Sequence, residues 1–192
     1  AAMARVFFFY FSFQGYKIND EQIQGAEIPY DVLRKLFPQN KYSGTKVIIH
    51  RDGPFRGNER QVLKEWGEEI DATFVLVEVH KRYQPRIHGF NNNKIIHAPK
   101  GTIMKISSTE ALIISSKLRS NSVTPQPIRV RVFSPDLFII GVNSVLSLTL
   151  LHYGSQIPPS TPVTIHYSDA IAGMLKDGIK QDHLEGKIPY WL

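Results

Sequence analysis

Asp52 is the residue whose type and position most directly suggest chemistry. It follows the β-branched run Thr45 to His50 and precedes Gly53, which allows a sharp turn. In an α/β sheet, ligands gather at the carboxyl ends of the parallel strands, where a carboxylate can hold a divalent cation. An Asp in this place can also simply cap the turn. The position therefore predicts a candidate metal ligand and leaves the turn cap open.

Asp169 is a second carboxylate that could share this chemistry. If a helix begins near Pro162, its 3.6-residue period places Tyr167 and Ile171 on one side and Asp169 on the other, polar side. A polar helix face is usually only solvated. The periodicity predicts an exposed Asp169, with a solvated and a functional role both open.

The stretch Val79 to Arg86 suggests phosphate binding. It concentrates three cations, Lys81, Arg82 and Arg86, with an aromatic residue, Tyr83, directly after a predicted strand. Cations at the carboxyl edge of a sheet suit phosphate contacts, and Tyr83 could stack on a base or sugar. A solvated basic loop fits the same residues equally well.

Composition limits the protein class. The 192 residues suit one domain, and the net charge of +6 favours a polyanionic partner without requiring one. The sequence contains no cysteine, which excludes a disulfide framework and a cysteine nucleophile and fits an intracellular protein. The longest apolar stretch, Leu137 to Leu151, is shorter than the roughly 20 residues that span a bilayer, so no membrane is expected. Residues 1–4 resemble an expression remnant, and the domain is expected to cover 5–192.

The elements that would position these residues alternate in the first half of the chain. Arg5 to Phe13 is apolar on both faces and predicts one covered strand, and Lys17 to Gly25 predicts a loop. There follow a helix between Pro29 and Pro38, a strand over Thr45 to His50, a helix over Glu59 to Ile70 and a strand over Thr73 to His80. This alternation predicts an α/β sheet with helical crossovers.

The second half is richer in turns. Asn91-Asn92-Asn93, Ala98 to Gly101 and Arg119 to Pro127 separate three short strand candidates, Thr102 to Ile106, Ala111 to Ser115 and Ile128 to Phe133. Two helices should follow, one with a capped start at Ser134-Pro135-Asp136 and running over Leu137 to Leu151, the other starting at Thr161-Pro162. The apolar tail Lys187 to Leu192 is expected to dock on the protein.

Four motifs in a fixed order resemble a known family. They are His50-Arg51-Asp52-Gly53, then His80-Lys81-Arg82 with Arg86, then Ala98-Pro99-Lys100-Gly101-Thr102, and finally Ser160-Thr161-Pro162 through His166-Tyr167-Ser168-Asp169. From about Glu27 onward, and including the aromatic end of the chain, this order resembles the PIWI domain of Argonaute proteins. The resemblance implies an α/β, RNase H-like fold, with a mixed central sheet and helices on both faces, that holds a guide strand and its target.

The resemblance also implies a catalytic site. Active members hold two divalent metals, Mg²⁺ or Mn²⁺, with four residues that are acidic or include a His, and these metals promote phosphodiester cleavage. Asp52 and Asp169 match the third and fourth of these residues. Glu27 matches the second, a mobile glutamate, with Asp20 and Glu21 as rivals. No residue before Phe13 matches the first aspartate, which a preceding strand would have to supply, so we expect the chain alone to cleave poorly.

Guide binding is the second implication. Lys81, Arg82, Arg86, Ser160 and His166 match positions that contact the guide backbone in the family. The terminal carboxylate, on Leu192, is expected to help hold a metal over the guide 5′-phosphate, and a MID domain or a partner chain is expected to supply the rest of that pocket. The expected partners are a guide and a complementary target, RNA or DNA, in the cytoplasm.

Three interpretations remain open. The chain could be the PIWI domain of a prokaryotic-type Argonaute that contributes to guide-directed endonuclease activity. It could instead be a non-catalytic guide-binding or interaction module whose acidic residues are remnants. The third possibility, an RNase H-like domain of another nuclease or transposase family, is disfavoured by the Lys-Arg strand and the apolar terminus.

Overall fold

The computed structural model describes residues 3–9, 12–19, 25, 27–116, 124–152, 159–179 and 183–191. The chain divides into two compact units. Unit 1 comprises Ala1–Ile49, Phe55–Val75 and Thr164–Leu192, and unit 2 comprises His50–Pro54 and Leu76–Val163.

The first strands form a hairpin where one strand was expected. Strand β1 (Met3–Phe9) pairs antiparallel with β2 (Ser12–Asn19), so the single strand predicted over Arg5 to Phe13 is wrong. The run from Arg5 to Phe13 contains no Gly, Pro or Asn that would signal a change of chain direction, so its apolar pattern predicted one continuous strand. Strand β2 also continues into the residues predicted as a loop. A short strand, β10 (Glu185–Gly186), pairs with β2 and completes a three-stranded sheet.

The helices of unit 1 follow the predicted patterns. Helix α1 (Tyr30–Leu36) buries Val32, Leu33 and Leu36, and a short helix, α2 (Gln39–Tyr42), follows it. Helix α3 (Glu59–Glu69) buries Leu63 and Trp66, which lie three residues apart and therefore on one face of the helix. The Trp66 indole donates a hydrogen bond of 2.8 Å to the carbonyl of Phe37, which ties α3 to the end of α1.

A five-stranded sheet contains the predicted strands of the α/β pattern. Its order is β3 (Lys46–Asp52), β4 (Thr73–His80), β9 (Ile128–Val132), β8 (Glu110–Ile113) and β7 (Ile103–Lys105). Between β3 and β4 the hydrogen bonds Thr73 N to Thr45 O and Gly53 N to Val79 O advance in the same direction along both strands, as in a parallel pair. The other neighbours are antiparallel, so the sheet is mixed.

One face of the sheet in unit 2 is apolar and covered by a helix. Val77, Val79, Val130 and Val132 are fully buried there. Helix α4 (Phe138–Leu148) lies so close that a Cβ at Gly141 would be 2.6 Å from the Val132 side chain. A 3₁₀ turn (Pro135–Leu137) precedes α4. Ser134 occupies the N-cap position of this turn and Pro135 follows it, as predicted, but Ser134 makes no side-chain capping bond.

A second hairpin in unit 2 was not predicted. Strands β5 (His88–Asn91) and β6 (Lys94–His97) pair antiparallel around a turn in which Asn92 and Asn93 have φ of 47° and 59°. The asparagine run marked the turn correctly, because Asn tolerates the left-handed region. The flanking strands were missed because their residues do not alternate cleanly between apolar and polar types.

The last helix and the tail pack as expected. Helix α5 (Val163–Lys176) begins directly after Pro162 and buries Tyr167 and Ile171. Trp191 is buried, and its ring packs edge-on against those of Phe13 and Tyr16 at centroid distances of 5.8 and 5.2 Å. The docking expected of the tail is thereby confirmed at its described end, Tyr190 and Trp191, whereas Ile188 is 80% exposed. Among the described residues, no helix has both the length and the apolar character needed to cross a membrane.

Candidate nucleic-acid interface and metal site

Asp52 is the last residue of β3, and its carboxylate is paired with Lys81. The distance from Lys81 Nζ to Asp52 Oδ2 is 2.9 Å, with both side chains partly exposed. Gly53 then turns the chain at a φ of 73°, in the left-handed region that favours glycine. Within the described part of the chain, the carboxylate contacts Lys81 and not the amides of the turn. This contact joins a residue expected to bind metal to one expected to bind phosphate.

The basic loop after β4, residues 81–86, is hydrogen-bonded to residues 124–126 within unit 2. Gln126 donates to the Lys81 carbonyl at 3.4 Å, and Gln84 donates to the Arg82 carbonyl at 2.7 Å. The Arg86 guanidinium donates to the Thr124 carbonyl at 2.6 Å. These contacts hold the backbone at Lys81 and Arg82 and the side chain of Arg86, so binding a phosphate would cost less ordering entropy than binding to a free loop.

Glu27 is fastened to the start of α3. Its Oε1 accepts a hydrogen bond of 2.8 Å from the Asn58 amide. In the opposite direction, the Glu59 carboxylate accepts hydrogen bonds from the Ile28 amide at 2.7 Å and from the Arg56 amide at 3.0 Å. Glu59 is buried, because these amides satisfy its charge.

Gly57 makes room for the Glu27 carboxylate. A Cβ at Gly57 would lie 1.9 Å from Glu27 Oε2, and the φ of 46° also favours glycine. The loop that contains Gly57 follows Arg51-Asp52-Gly53 along the chain. The rival residues Asp20 and Glu21 lie outside the described residues, and the metal role of Glu27 stays a prediction.

The α5 residues fall where the periodicity placed them. Asp169 is exposed and Tyr167 is buried on the opposite side. His166 is partly buried, and Ser160 is exposed with its carbonyl accepting a hydrogen bond from the buried Ser115 hydroxyl. Leu192 lies outside the described residues.

The described residues contain no group of three or more His, Asp or Glu side chains that could hold a metal ion. The ligand set that the resemblance implied, Asp52, Asp169, Glu27 and the Leu192 carboxylate, therefore stays a prediction.

A charge network on β4, β8 and β9 was missed by the sequence analysis. Glu110 is mostly buried and accepts hydrogen bonds from the guanidinium groups of Arg129 and Arg131, while Glu78 pairs with His80 at 3.1 Å. Burial alone would raise the pKa of the Glu110 carboxyl, but the two arginines outweigh it and hold that pKa below its usual value. The alternation in Ile128 to Val132 was the available signal, since it puts both arginines on one face.

The positive charge of the chain is concentrated in unit 2. Its residues include eleven Lys and Arg against four Asp and Glu, a net charge of +7, which leaves twelve against thirteen for unit 1 out of the 23 and 17 in the chain. Unit 2 contains Lys81, Arg82 and Arg86, so the three cations predicted to contact phosphate lie in the more cationic unit.

Residues 15–180 match the model of the Piwi domain family. The chain belongs to this family. The Argonaute of Aquifex aeolicus (strain VF5) is 37% identical over 163 residues, which cover 84% of this chain and 22% of that protein. A crystal structure of the A. aeolicus Argonaute matches with a TM-score of 0.75 and 30% identity, covering 94% of this chain and 26% of that one.

The fold match extends to more distant Argonautes. The structure of Clostridium butyricum Argonaute, bound to a guide DNA and a 19-mer target DNA, matches with a TM-score of 0.81 at 20% identity, over 93% of this chain and 24% of that one. These similarities confirm the expected RNase H-like α/β fold of a PIWI domain and displace the other nuclease and transposase families. The chain spans about a quarter of the length of the relatives it matches.

Proposed function

We propose that this PIWI domain binds a guide strand in a prokaryotic-type Argonaute and takes part in recognising a complementary target. The observation that carries the proposal is the basic loop of unit 2, where Lys81, Arg82 and Arg86 follow β4, with the Lys81 carbonyl bonded to Gln126 and the Arg86 guanidinium bonded to the Thr124 carbonyl. Cations in a fixed arrangement neutralise successive phosphates and release condensed counterions. Ser160 and His166 would add polar contacts to the same strand.

The test is the affinity for a single-stranded oligonucleotide. We expect Lys81→Ala/Arg82→Ala to weaken binding by about tenfold to a hundredfold, because two charge-assisted contacts are lost, on the order of 1–3 kcal/mol. The control is Lys35→Ala/Lys64→Ala, which removes two exposed lysines from the helices of unit 1 and should leave the affinity nearly unchanged. Equal affinities for the wild type and the Lys81/Arg82 variant would contradict the proposal.

Target cleavage is the second part of the proposal. Asp52, Asp169 and Glu27 offer the hard carboxylate oxygens that Mg²⁺ and Mn²⁺ prefer, and such a cation would activate water and stabilise the leaving oxygen. A cation at Asp52 would compete with the Lys81 ammonium group, which pairs with one of the two carboxylate oxygens.

The discriminating variant is Asp52→Ala in the protein that contains this chain. We expect it to abolish Mg²⁺- or Mn²⁺-dependent cleavage of the target while guide binding survives. Cleavage at the wild-type rate by this variant would contradict the metal-ligand role of Asp52. Guide binding without target cleavage by the wild-type protein in Mg²⁺ or Mn²⁺ would favour the alternative, a catalytically inactive guide-binding module.

The proposal includes two further elements. A MID domain or a partner chain would complete the 5′-phosphate pocket, with the Leu192 carboxylate helping to hold a metal there. We also place the protein in the cytoplasm, where guides and invading nucleic acids meet.

A further inference from the structure

Residues 79–109 form an acid-free segment of unit 2. This run contains six Lys or Arg and three His but neither Asp nor Glu, and the acidic residues that bracket it, Glu78 and Glu110, are buried among arginines. A surface of this kind repels cationic partners and attracts a polyanion. The β5–β6 hairpin lies within this segment and begins two residues after Arg86.

Two aromatic side chains of the acid-free segment point into solvent. Tyr83 is 95% exposed and Phe90 is 73% exposed. Tyr83 also has a φ of 59°, a conformation that costs a non-glycine residue energy unless the surrounding structure imposes it. The carbonyls of the two preceding residues, Lys81 and Arg82, accept hydrogen bonds from Gln126 and Gln84.

One face of the β5–β6 hairpin is apolar and aromatic, and we term it the hairpin face. Phe90 lies directly opposite Ile95, and His88 lies opposite His97, so alternation places these four side chains on one face. Ile95 is 74% exposed, like its partner. On the other face Ile96 covers Gly89, where a Cβ would lie 2.9 Å from Ile96 Cγ1. An antiparallel pair therefore presents Phe90 in a fixed orientation.

We propose that the hairpin face is a base-stacking surface for unpaired nucleotides of a bound single strand. Every nucleobase has a π-face that stacks on an aromatic ring, and nearby cations hold the phosphates of the same strand. Charge complementarity selects this partner, since the hairpin contributes Lys94 and two histidines and no carboxylate. The inference rests on the proposed nucleic-acid binding and extends it from the basic loop to a base contact.

The test compares two oligomers with equal numbers of phosphates, a single-stranded DNA and its abasic counterpart. We expect Phe90→Ala to weaken binding of the base-bearing oligomer by about tenfold, which is 1.4 kcal/mol. Binding of the abasic oligomer should not change, because its phosphate contacts are intact. The control Ile139→Ala removes another exposed apolar side chain of unit 2, 64% exposed on α4, and should affect neither oligomer.

A second variant provides a spectroscopic readout. Phe90→Trp should retain the affinity for the base-bearing oligomer. That oligomer should quench the fluorescence of the added tryptophan, whereas the abasic oligomer should not.

The outcomes separate this inference from the proposed function. If the wild type binds both oligomers and Phe90→Ala binds the base-bearing oligomer equally well, the stacking surface is refuted and a protein partner becomes the better occupant. Equal losses on both oligomers also refute it, since the effect would then not involve bases. If the wild type binds neither oligomer, the proposed function fails as well.

Discussion

At the scale of single residues, the central feature is the ion pair between Asp52 and Lys81. The sequence assigned the two residues separate roles, metal ligand and phosphate contact, from their positions at the ends of predicted strands. The contact itself could not be predicted, because it depends on β3 and β4 being neighbours with a particular register. Because of this ion pair, Lys81 competes with a metal ion for the Asp52 carboxylate, and Asp52 competes with a phosphate for the Lys81 ammonium group.

This pairing predicts that Asp52→Asn strengthens the binding of a single-stranded oligonucleotide. The substitution removes the carboxylate that pairs with the Lys81 ammonium group, and a gain of up to about fivefold is expected, since an ion pair of partly exposed groups contributes about 1 kcal/mol or less. Asp136→Asn, which removes another exposed carboxylate of unit 2, should give a smaller gain. Titrations of the variants in the wild-type and Lys81→Ala backgrounds form a double-mutant cycle. A gain of the same size when Lys81 is already Ala would show that Asp52 does not restrain it.

Glu27 illustrates what residue types alone leave undecided. The family resemblance indicated its place in the chain, but not that the Asn58 amide holds its carboxylate or that Gly57 must lack a side chain there. These contacts involve residues about thirty positions apart, which no local pattern relates.

At the scale of elements, apolar periodicity predicted most of the units that position the site. Strand β4 agrees with its predicted bounds, and α3 and α5 bury the predicted faces. Both hairpins were misread, because one contains an aromatic run without a turn signal and the other has strands that are largely exposed. The two arginines of β9 could be recognised in the sequence from their alternation with apolar residues. Their partner Glu110 could not, because it lies on β8 and only the register of the sheet places it beside them.

The Glu110 network predicts acid sensitivity of unit 2. Because the folded state holds the Glu110 pKa below its unfolded value, the stabilisation is fully present above the unfolded pKa, about 4.5, and is lost as the pH falls through the folded pKa. Glu110→Gln should lower the free energy of unfolding at pH 7 by about 1–2 kcal/mol, since its arginine partners are partly exposed. Denaturant unfolding at pH 7 and at pH 3 measures both effects. If the Glu110→Gln variant loses as much free energy of unfolding between pH 7 and pH 3 as the wild type, then groups other than Glu110 cause the acid sensitivity.

At the scale of the whole molecule, the fold class and the family could be predicted from the order of the motifs, and the comparisons confirm both. The separation of charge could not, because it becomes visible only when contacts divide the chain into units. A unit with a net charge of +7, an ordered basic loop and an acid-free segment is suited to a polyanion, which is the basis of the proposed guide binding.

The salt dependence of single-strand binding tests this central claim most directly. The logarithm of the association constant should fall linearly with the logarithm of the salt concentration, with a slope of about −0.7 for each phosphate neutralised. For Lys81→Ala/Arg82→Ala the slope should become shallower by about 1.4, while the control Lys35→Ala/Lys64→Ala keeps the wild-type slope. A wild-type slope near zero, or the same slope for both double variants, would contradict guide binding through the basic loop.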